Sequence, residues 1–447
     1  MPKIVIIGYG SAGMTAAGYA RITDRKSQIV VFEKRPYAIY HPCSLPDVLS
    51  GYIKSWDAIK EDAPKVPNMK VLTSTLVEEI DPDDKKVIAR DLKTGEKIVE
   101  SYDKLILANG AKPAIPRVIK IEDSNGVFTL KVVEDGMEIE KAAMKYKKAI
   151  VVGGSAVGIE TAHALRLKGL DVTLIEYFPQ LMPGKMDKDL ADRVSNLLKE
   201  EGVNVILGEG VKLIEGPEGK KVVHTSNSSF EAGFVVMATG VRPDTTLAEQ
   251  IGLELGETRG IKVDEGMRTS NPDIFAAGDN TEVTDIVTGR KTLSPFASTA
   301  IMMGRVAGIN AVGGDESLEG VTNVWIINLG ELKFGAVGIT KDTAKKLGLN
   351  TLQVTVSAQE KLPIYPDASS ITVRLLVHKA SHRILGGQVL GNGDVAEKLN
   401  MLSILIERRA TVEELLRIET AYTPSICEVI HPLHTVADAA LRRLRRR

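Results

Sequence analysis

Cys43, in the stretch Tyr40-His41-Pro42-Cys43-Ser44-Leu45-Pro46, is one of two cysteines in a chain of 447 residues. A thiolate is both a nucleophile toward sulfur and a carrier of two electrons, and it is favoured where backbone N–H groups open a helix. Cys427 lies too far along the chain for a CxxC pair, and two cysteines make no disulfide framework. Cys43 is therefore a single-thiol redox candidate. The plainer alternative is a small buried hydrophobe.

What lies around that thiol decides between the two. Ahead of it, Lys3–Ile7 reads as a buried parallel strand, followed by Gly8-Tyr9-Gly10-Ser11-Ala12-Gly13 and a helical stretch, Met14–Arg21. Gly8 permits the tight turn, Gly10 lets backbone approach a diphosphate, and Gly13 lets helix pack closely on strand. The diphosphate would rest on the helix N-terminus, at Ser11 and Ala12. A second apolar run, Ile29–Phe32, ends in Glu33 with Lys34 beside it, about 20 residues past the third glycine, where a carboxylate meets ribose hydroxyls. The unit closes at Ala108-Asn109-Gly110-Ala111.

The pattern then repeats. Lys148–Val152 leads into Gly153-Gly154-Ser155-Ala156-Val157-Gly158-Ile159-Glu160, and Asp171–Ile175 ends in Glu176. Ser155 replaces the second glycine, narrowing the approach while offering a hydroxyl to a phosphate. Glu176 suits a ribose 2′-hydroxyl, and Tyr177 and Phe178 follow with no adjacent arginine for a 2′-phosphate, so NADH is favoured over NADPH. This half closes at Ala238-Thr239-Gly240. Two similar units imply two dinucleotides. Farther on, Thr269 to Asp279 places an acid after a short strand and a glycine, as a helix cap, a turn residue or a ligand contact.

Composition narrows the partners. A net charge of −1 supplies no global field for nucleic acid or membrane, and the chain has ordinary globular proportions, with 43% hydrophobic and 26% charged residues. No apolar run reaches the roughly 18–20 residues that span a bilayer. The opening Met-Pro-Lys-Ile-Val-Ile-Ile enters a strand without a signal peptide, so a reducing cytoplasm is expected. No metal site is expected. Arg21, Arg25 and Lys26 follow the first helix, either as a solvated, cationic helix end or as a patch for substrate phosphates.

Taken together, these motifs resemble the two-dinucleotide flavoprotein disulfide reductases. Within them the chain is similar to the single-cysteine branch of coenzyme A disulfide reductases, NADH-dependent persulfide reductases, NADH oxidases and NADH peroxidases. The resemblance covers the whole chain and implies an α/β fold: two Rossmann-like nucleotide-binding domains, for FAD and NAD(P)H, plus a C-terminal α+β dimerisation domain. The expected division is 1–115 for FAD, 116–243 for NAD(P)H, 244–322 returning to FAD, and 323–447 for dimerisation. By the same resemblance, FAD is held by Gly8, Gly10, Ser11, Ala12, Gly13, Glu33, Lys34, Ala108, Gly110 and Asp279. NADH is held by Gly153, Ser155, Gly158, Glu160, Glu176 and Gly240, with Glu160 near the nicotinamide.

Cys43 would face the flavin in a homodimer whose C-terminal domain completes the partner's active site. Tyr365, in Tyr365-Pro366-x-Ala368, and Tyr422, in Ala421-Tyr422-Thr423-Pro424, resemble the settings of two active-site tyrosines of the branch. Their alternative role is as amphipathic interface residues. His431-Pro432 resembles the His-Pro of dithiol reductases, although no second active-site cysteine follows Cys43; packing is its other reading. Cys427 reads as a buried structural thiol, or as one that approaches the partner's Cys43 in a dimer. The implied substrate is a coenzyme A persulfide, a polysulfide or coenzyme A disulfide, with Arg21, Arg25 or Lys26 on the coenzyme A phosphates. The alternatives are an NADH oxidase or peroxidase, and an electron-transfer flavoprotein serving a protein partner.

Overall fold

The computed structural model describes residues 1–446. Its chain forms two compact units: residues 1–114, 131–137 and 240–321 make the first, and residues 115–130, 138–239 and 322–446 the second.

The first unit is built on a five-stranded parallel sheet in the order Ile274–Ala276, Lys104–Leu107, Lys3–Ile7, Gln28–Phe32, Met69–Leu72. Ile4, Val5 and Ile6 are wholly buried. A parallel strand covered on both faces has no reason to alternate polar and apolar residues, which is why this run reads as continuously hydrophobic. The helix Ser11–Thr23 buries only small residues: Ala12, Gly13, Ala16, Ala17 and Ala20. That face receives a second helix, Ala297–Ala311, almost backbone to backbone. A Cβ at Gly304 would lie 2.3 Å from the Ala12 carbonyl oxygen, and one at Gly308 would lie 2.3 Å from that of Ala16.

The second unit holds another five-stranded parallel sheet, in the order Val127–Thr129, Phe234–Met237, Lys148–Val152, Asp171–Glu176, Asn204–Leu207. In both sheets the strand preceding the glycine loop is central, with the strand that leads to the acid on one side of it. The helix Ala156–Leu167 follows the second glycine loop. The same unit carries an antiparallel sheet, Trp325–Leu329, Leu332–Gly338, Ile384–Gly391, Ser370–His378, Thr351–Gln359, flanked by the helices Val395–Glu407 and Pro432–Arg445.

Within this unit, Arg374 joins the antiparallel sheet to the helix Lys188–Glu200. Its guanidinium donates to Asp187 at 3.1 Å and to Asp189 at 2.6 Å. Asp187 is the N-cap of that helix, yet its side chain makes no capping bond; it faces Arg374 and the Lys341 N–H instead.

Among the described residues no helix is long and apolar enough to cross a membrane.

Candidate active site

The first glycine loop is shaped by close backbone approach. Gly8 has φ +95°, and a Cβ there would lie 2.4 Å from the Ala108 carbonyl oxygen. One at Gly13 would lie 2.0 Å from the Gly8 carbonyl oxygen. Gly10 differs: a Cβ would meet nothing within 4 Å, and as N-cap of Ser11–Thr23 it supplies no side chain to the first N–H groups of the helix. Open space beside an uncapped helix start is what a diphosphate requires. These residues fit FAD.

Glu33, only 2% exposed, directly follows the adjacent strand. Its carboxylate accepts the Tyr9 N–H at 2.8 Å, the Arg35 N–H at 2.9 Å, and the Arg35 guanidinium at 2.7 and 2.5 Å. Lys34 is exposed, and the contact with Glu33 belongs to Arg35, a residue that no motif singles out. Arg35 also lies 4.3 Å from the Tyr40 ring centroid. Burial pushes the Tyr40 hydroxyl up to about 12 against the opposing pull of Arg35, so it stays protonated and donates to the Lys131 carbonyl at 3.0 Å.

Parts of the sequence far apart meet near this loop. Asn280, fully buried, donates to the Leu107 carbonyl at 3.2 Å and to Asn109 Oδ1 at 3.0 Å. Asn109 in turn donates to the Asp244 carbonyl at 2.7 Å, and Gly110, at φ +72°, accepts the Asp244 N–H at 2.9 Å. Asp279 is half-buried and pairs with Lys131 at 3.3 Å.

Cys43 is exposed, in the 3₁₀ turn Pro42–Ser44 that runs directly into the helix Leu45–Ser50. The sequence placed it at a helix start; the structure places it in the turn before a six-residue helix whose first turn includes Pro46, which has no N–H to offer. The aligned dipole at this point is correspondingly small. His41 is engaged by Glu61, Nε2 to Oε1 at 2.7 Å.

In the second unit the glycine loop repeats the first. A Cβ at Gly153, φ +111°, would lie 2.4 Å from the Ala238 carbonyl oxygen, and one at Gly158 would lie 1.9 Å from the Gly153 carbonyl oxygen. Glu176, 6% exposed, accepts the N–H groups of Gly154 at 2.5 Å and Phe178 at 2.7 Å. Glu33 makes the same two bonds, to the second residue of its loop and to the residue two beyond itself. Ser155 departs from the expectation of a hydroxyl held ready for phosphate. It donates to the Ala238 carbonyl at 2.9 Å and accepts the Gly158 N–H at 3.4 Å, capping its own helix. Glu160 is half-buried on that helix. The exposed rings of Tyr177 and Phe178 meet edge to face, with centroids 5.1 Å apart. These residues fit a nicotinamide dinucleotide. Gly240, at φ +102°, falls in the first unit, where its carbonyl accepts the Ala114 N–H at 2.9 Å.

Tyr365 lies in the connection 360–369 of the antiparallel sheet, its ring 5.1 Å from Lys361 Nζ. Tyr422 lies, exposed, in the segment 416–431. His431 is buried: Nδ1 accepts the Leu433 N–H at 3.2 Å and Nε2 faces Glu397 at 3.3 Å. With the Nδ1 lone pair used, the proton sits on Nε2 and points at a carboxylate, so His431 caps a helix and has no lone pair for a base. Burial works to raise the Glu397 pKa, but His431 and Lys398 outweigh it and hold the carboxyl below the ordinary range. Cys427 is half-buried, its Sγ donating to the Ala421 carbonyl at 3.3 Å.

The basic trio separates. Arg21 spends its guanidinium on four carbonyls, those of Asp24, Arg25, Ser27 and Asn68 at 3.2, 2.7, 2.6 and 2.9 Å. It closes the end of its own helix, while Arg25 and Lys26 are exposed.

Residues 2–304 match the family model for pyridine nucleotide-disulphide oxidoreductases, and residues 327–434 match the dimerisation domain of the same enzymes. The chain is 36% identical to a NADH oxidase of Methanocaldococcus jannaschii over 99% of both chains. It is 31% identical to the NAD(P)H coenzyme A polysulfide/persulfide reductase of Pyrococcus horikoshii over 97% of both. It superposes on the NAD-dependent persulfide reductase from A. fulgidus with a TM-score of 0.94 at 35% identity, covering 99% of this chain and 83% of that one. With two dinucleotide-type sheets, each carrying its glycine loop and buried acid, the chain belongs to the pyridine nucleotide-disulphide oxidoreductase family and is an FAD-dependent NAD(P)H oxidoreductase.

Proposed function

We propose that the protein uses NADH to reduce a coenzyme A persulfide, a polysulfide or coenzyme A disulfide through Cys43. The observation that carries this is an exposed thiol on a turn that follows the dinucleotide strand leading into Glu33. Two similar proteins, from P. horikoshii and A. fulgidus, bear the name of persulfide reductase.

Bound FAD supplies a two-electron carrier between nicotinamide and sulfur. The chain's part is to hold the dinucleotides at the Gly10 and Ser155 loops, to accept ribose hydroxyls at Glu33 and Glu176, and to present the nucleophile. The Cys43 thiolate attacks the outer sulfur of a persulfide, or one sulfur of a disulfide. One S–S bond forms as another breaks, and the leaving group departs as an anion: coenzyme A as its thiolate, or, from a polysulfide, the shortened polysulfide. Two electrons and two protons then return Cys43 to the thiol, releasing hydrogen sulfide or a second coenzyme A thiol. Tyr422 and Tyr365 donate hydrogen bonds to the departing thiolate.

Those tyrosines belong to a second copy of the chain. Ile364, Tyr422, Ile426, Val429 and Ile430 are all exposed on the two tyrosine-bearing segments, and an apolar group of this kind suits a homodimer contact. The match to a dimerisation-domain model supports the same assembly. Arg25 and Lys26 remain as candidate contacts for coenzyme A phosphates.

NADH oxidase activity is the second reading, favoured by the name of the M. jannaschii relative. Anaerobic kinetics with coenzyme A persulfide, coenzyme A disulfide and peroxide, beside aerobic oxygen consumption, separate the two. Sulfur acceptors are expected to give the highest kcat/KM and to lose several orders of magnitude in Cys43→Ser, while NADH still reduces the flavin. Faster turnover with oxygen than with every sulfur acceptor would establish the oxidase instead.

A further inference from the structure

The segments that carry Tyr365 and Tyr422 are fastened to one residue, Glu360. Its N–H donates to the Ser369 carbonyl at 2.9 Å, closing the connection that holds Tyr365, and its own carbonyl accepts the Glu428 N–H of the Tyr422 segment at 2.8 Å. Its buried carboxylate accepts the Asp394 N–H at 2.7 Å and is ion-paired with Lys398. Gly393 makes the room, because a Cβ there would lie 1.3 Å from Glu360 Oε2.

From Lys398 the network continues across the second segment. Lys398, buried on the helix Val395–Glu407, also pairs with Glu397 at 3.0 Å, and Glu397 faces Nε2 of His431 at 3.3 Å. His431 ends the Tyr422 segment and caps the next helix. Glu360, Lys398, Glu397 and His431 thus form one chain of ion pairs and hydrogen bonds from the base of one tyrosine-bearing segment to the base of the other.

A buried pair such as Glu360 with Lys398 seldom adds net stability over apolar packing of the same volume, and its best-attested use is to specify one geometry. Restricting geometry is what these two segments need. Within one copy of the chain Ile364, Ile426, Val429 and Ile430 stand exposed on them, so what the protomer itself does to place the segments, before a partner covers them, is done at the base.

We propose that Lys398, acting through Glu360 and Glu397, is a positioning residue that sets Tyr365 and Tyr422 as a pair for the thiol leaving Cys43. The proposal rests on the reading above that both tyrosines serve the sulfur site.

The test uses the FAD-loaded protein in four forms: Lys398→Met, Lys398→Arg, the double variant Glu360→Gln/Lys398→Met, and Tyr365→Phe/Tyr422→Phe. In Lys398→Met, amide hydrogen exchange is expected to rise at least tenfold in both 361–369 and 417–430. With coenzyme A persulfide kcat should fall at least tenfold with little change in KM, while stopped-flow reduction of the flavin by NADH stays at the wild-type rate. Lys398→Arg should recover most of the loss. The double variant leaves no buried unpaired charge and carries the same measurements should Lys398→Met not fold. A slow tyrosine pair variant beside a Lys398→Met that keeps wild-type turnover overturns the proposal and spares the tyrosine reading. Wild-type turnover in the tyrosine variant overturns both. Exchange that rises in only one segment overturns the pairing.

Discussion

The backbone N–H of Gly154 donates to the Glu176 carboxylate at 2.5 Å. The acid proposed to meet the ribose is therefore also the brace of the glycine loop proposed to meet the diphosphate, and a variant tests both roles. Glu176→Ala should narrow the NADH/NADPH gap in kcat/KM, because a 2′-phosphate no longer faces a like charge, a conflict of about 1–3 kcal/mol. It should also raise KM for both cofactors as the loop loses its brace. Steady-state kinetics with each cofactor check this, and an unchanged ratio would move the determinant away from Glu176.

Gly10 and Gly13 should fail differently. A Cβ at Gly10 meets nothing, so Gly10→Ala should leave the melting temperature of the FAD-free protein near wild type while FAD affinity falls tenfold or more. At Gly13 the Cβ strikes the Gly8 carbonyl, so Gly13→Ala should lower stability by about 1–3 kcal/mol before any cofactor is added. Thermal melts and FAD titrations on both variants decide it. A Gly10→Ala protein that binds FAD at full strength removes the diphosphate from that space.

Arg21→Ala should act on the fold. Its half-buried guanidinium donates to four backbone carbonyls, so truncating it should destabilise the protein by about 1–3 kcal/mol and leave KM for coenzyme A substrates unchanged. Charge removal at Arg25 and Lys26 together should leave stability alone and raise that KM several-fold, sparing inorganic polysulfide. Denaturant melts and substrate kinetics in parallel check both arms.

Glu397 should contribute an acid limb to stability. Its carboxyl is held below the ordinary 4.5, by His431 and Lys398 against the opposing effect of burial, so its stabilisation is whole above that pH. The contribution is lost as pH falls through the lower folded-state value. Wild type should out-melt Glu397→Gln at pH 6, and the difference should shrink as the pH falls below the ordinary carboxylate value of 4.5. A difference that persists unchanged at pH 3 would show that the carboxylate's charge contributes nothing.

Much of the geometry of the two glycine loops was legible in the chain because it is local. A strand, a tight turn and a helix require glycines at fixed spacing, and the next strand must end in an acid. Gly8, Gly13, Glu33, Gly153, Gly158 and Glu176 could be read from spacing alone. Contacts set by tertiary proximity could not. Arg35 stands beside Lys34, and only the path of the backbone decides which cation turns toward Glu33. Asn280 reaches Asn109 across most of the first unit's sequence. Glu360 and Lys398 belong to different elements and have no motif. Ser155 showed the limit of local reading: its identity was legible, but its use as a helix cap depended on where the Ala238 carbonyl came to lie.

The contact of Gly304 and Gly308 with Ala12 and Ala16 also sets a schedule for synthesis. The small-residue face of Ser11–Thr23 is covered by a helix that ends at Ala311, so the first unit cannot close until the chain has been extended through the entire second nucleotide sheet. At about 5–20 residues per second, the N-terminal strand and helix wait on the order of 15–60 s on the ribosome for their partner. In that interval the sheet built on Lys148–Val152, whose strands all lie between Val127 and Met237, has every strand it needs. The later-encoded sheet is thus free to fold first, and the earlier one completes its small-residue helix contact only afterwards.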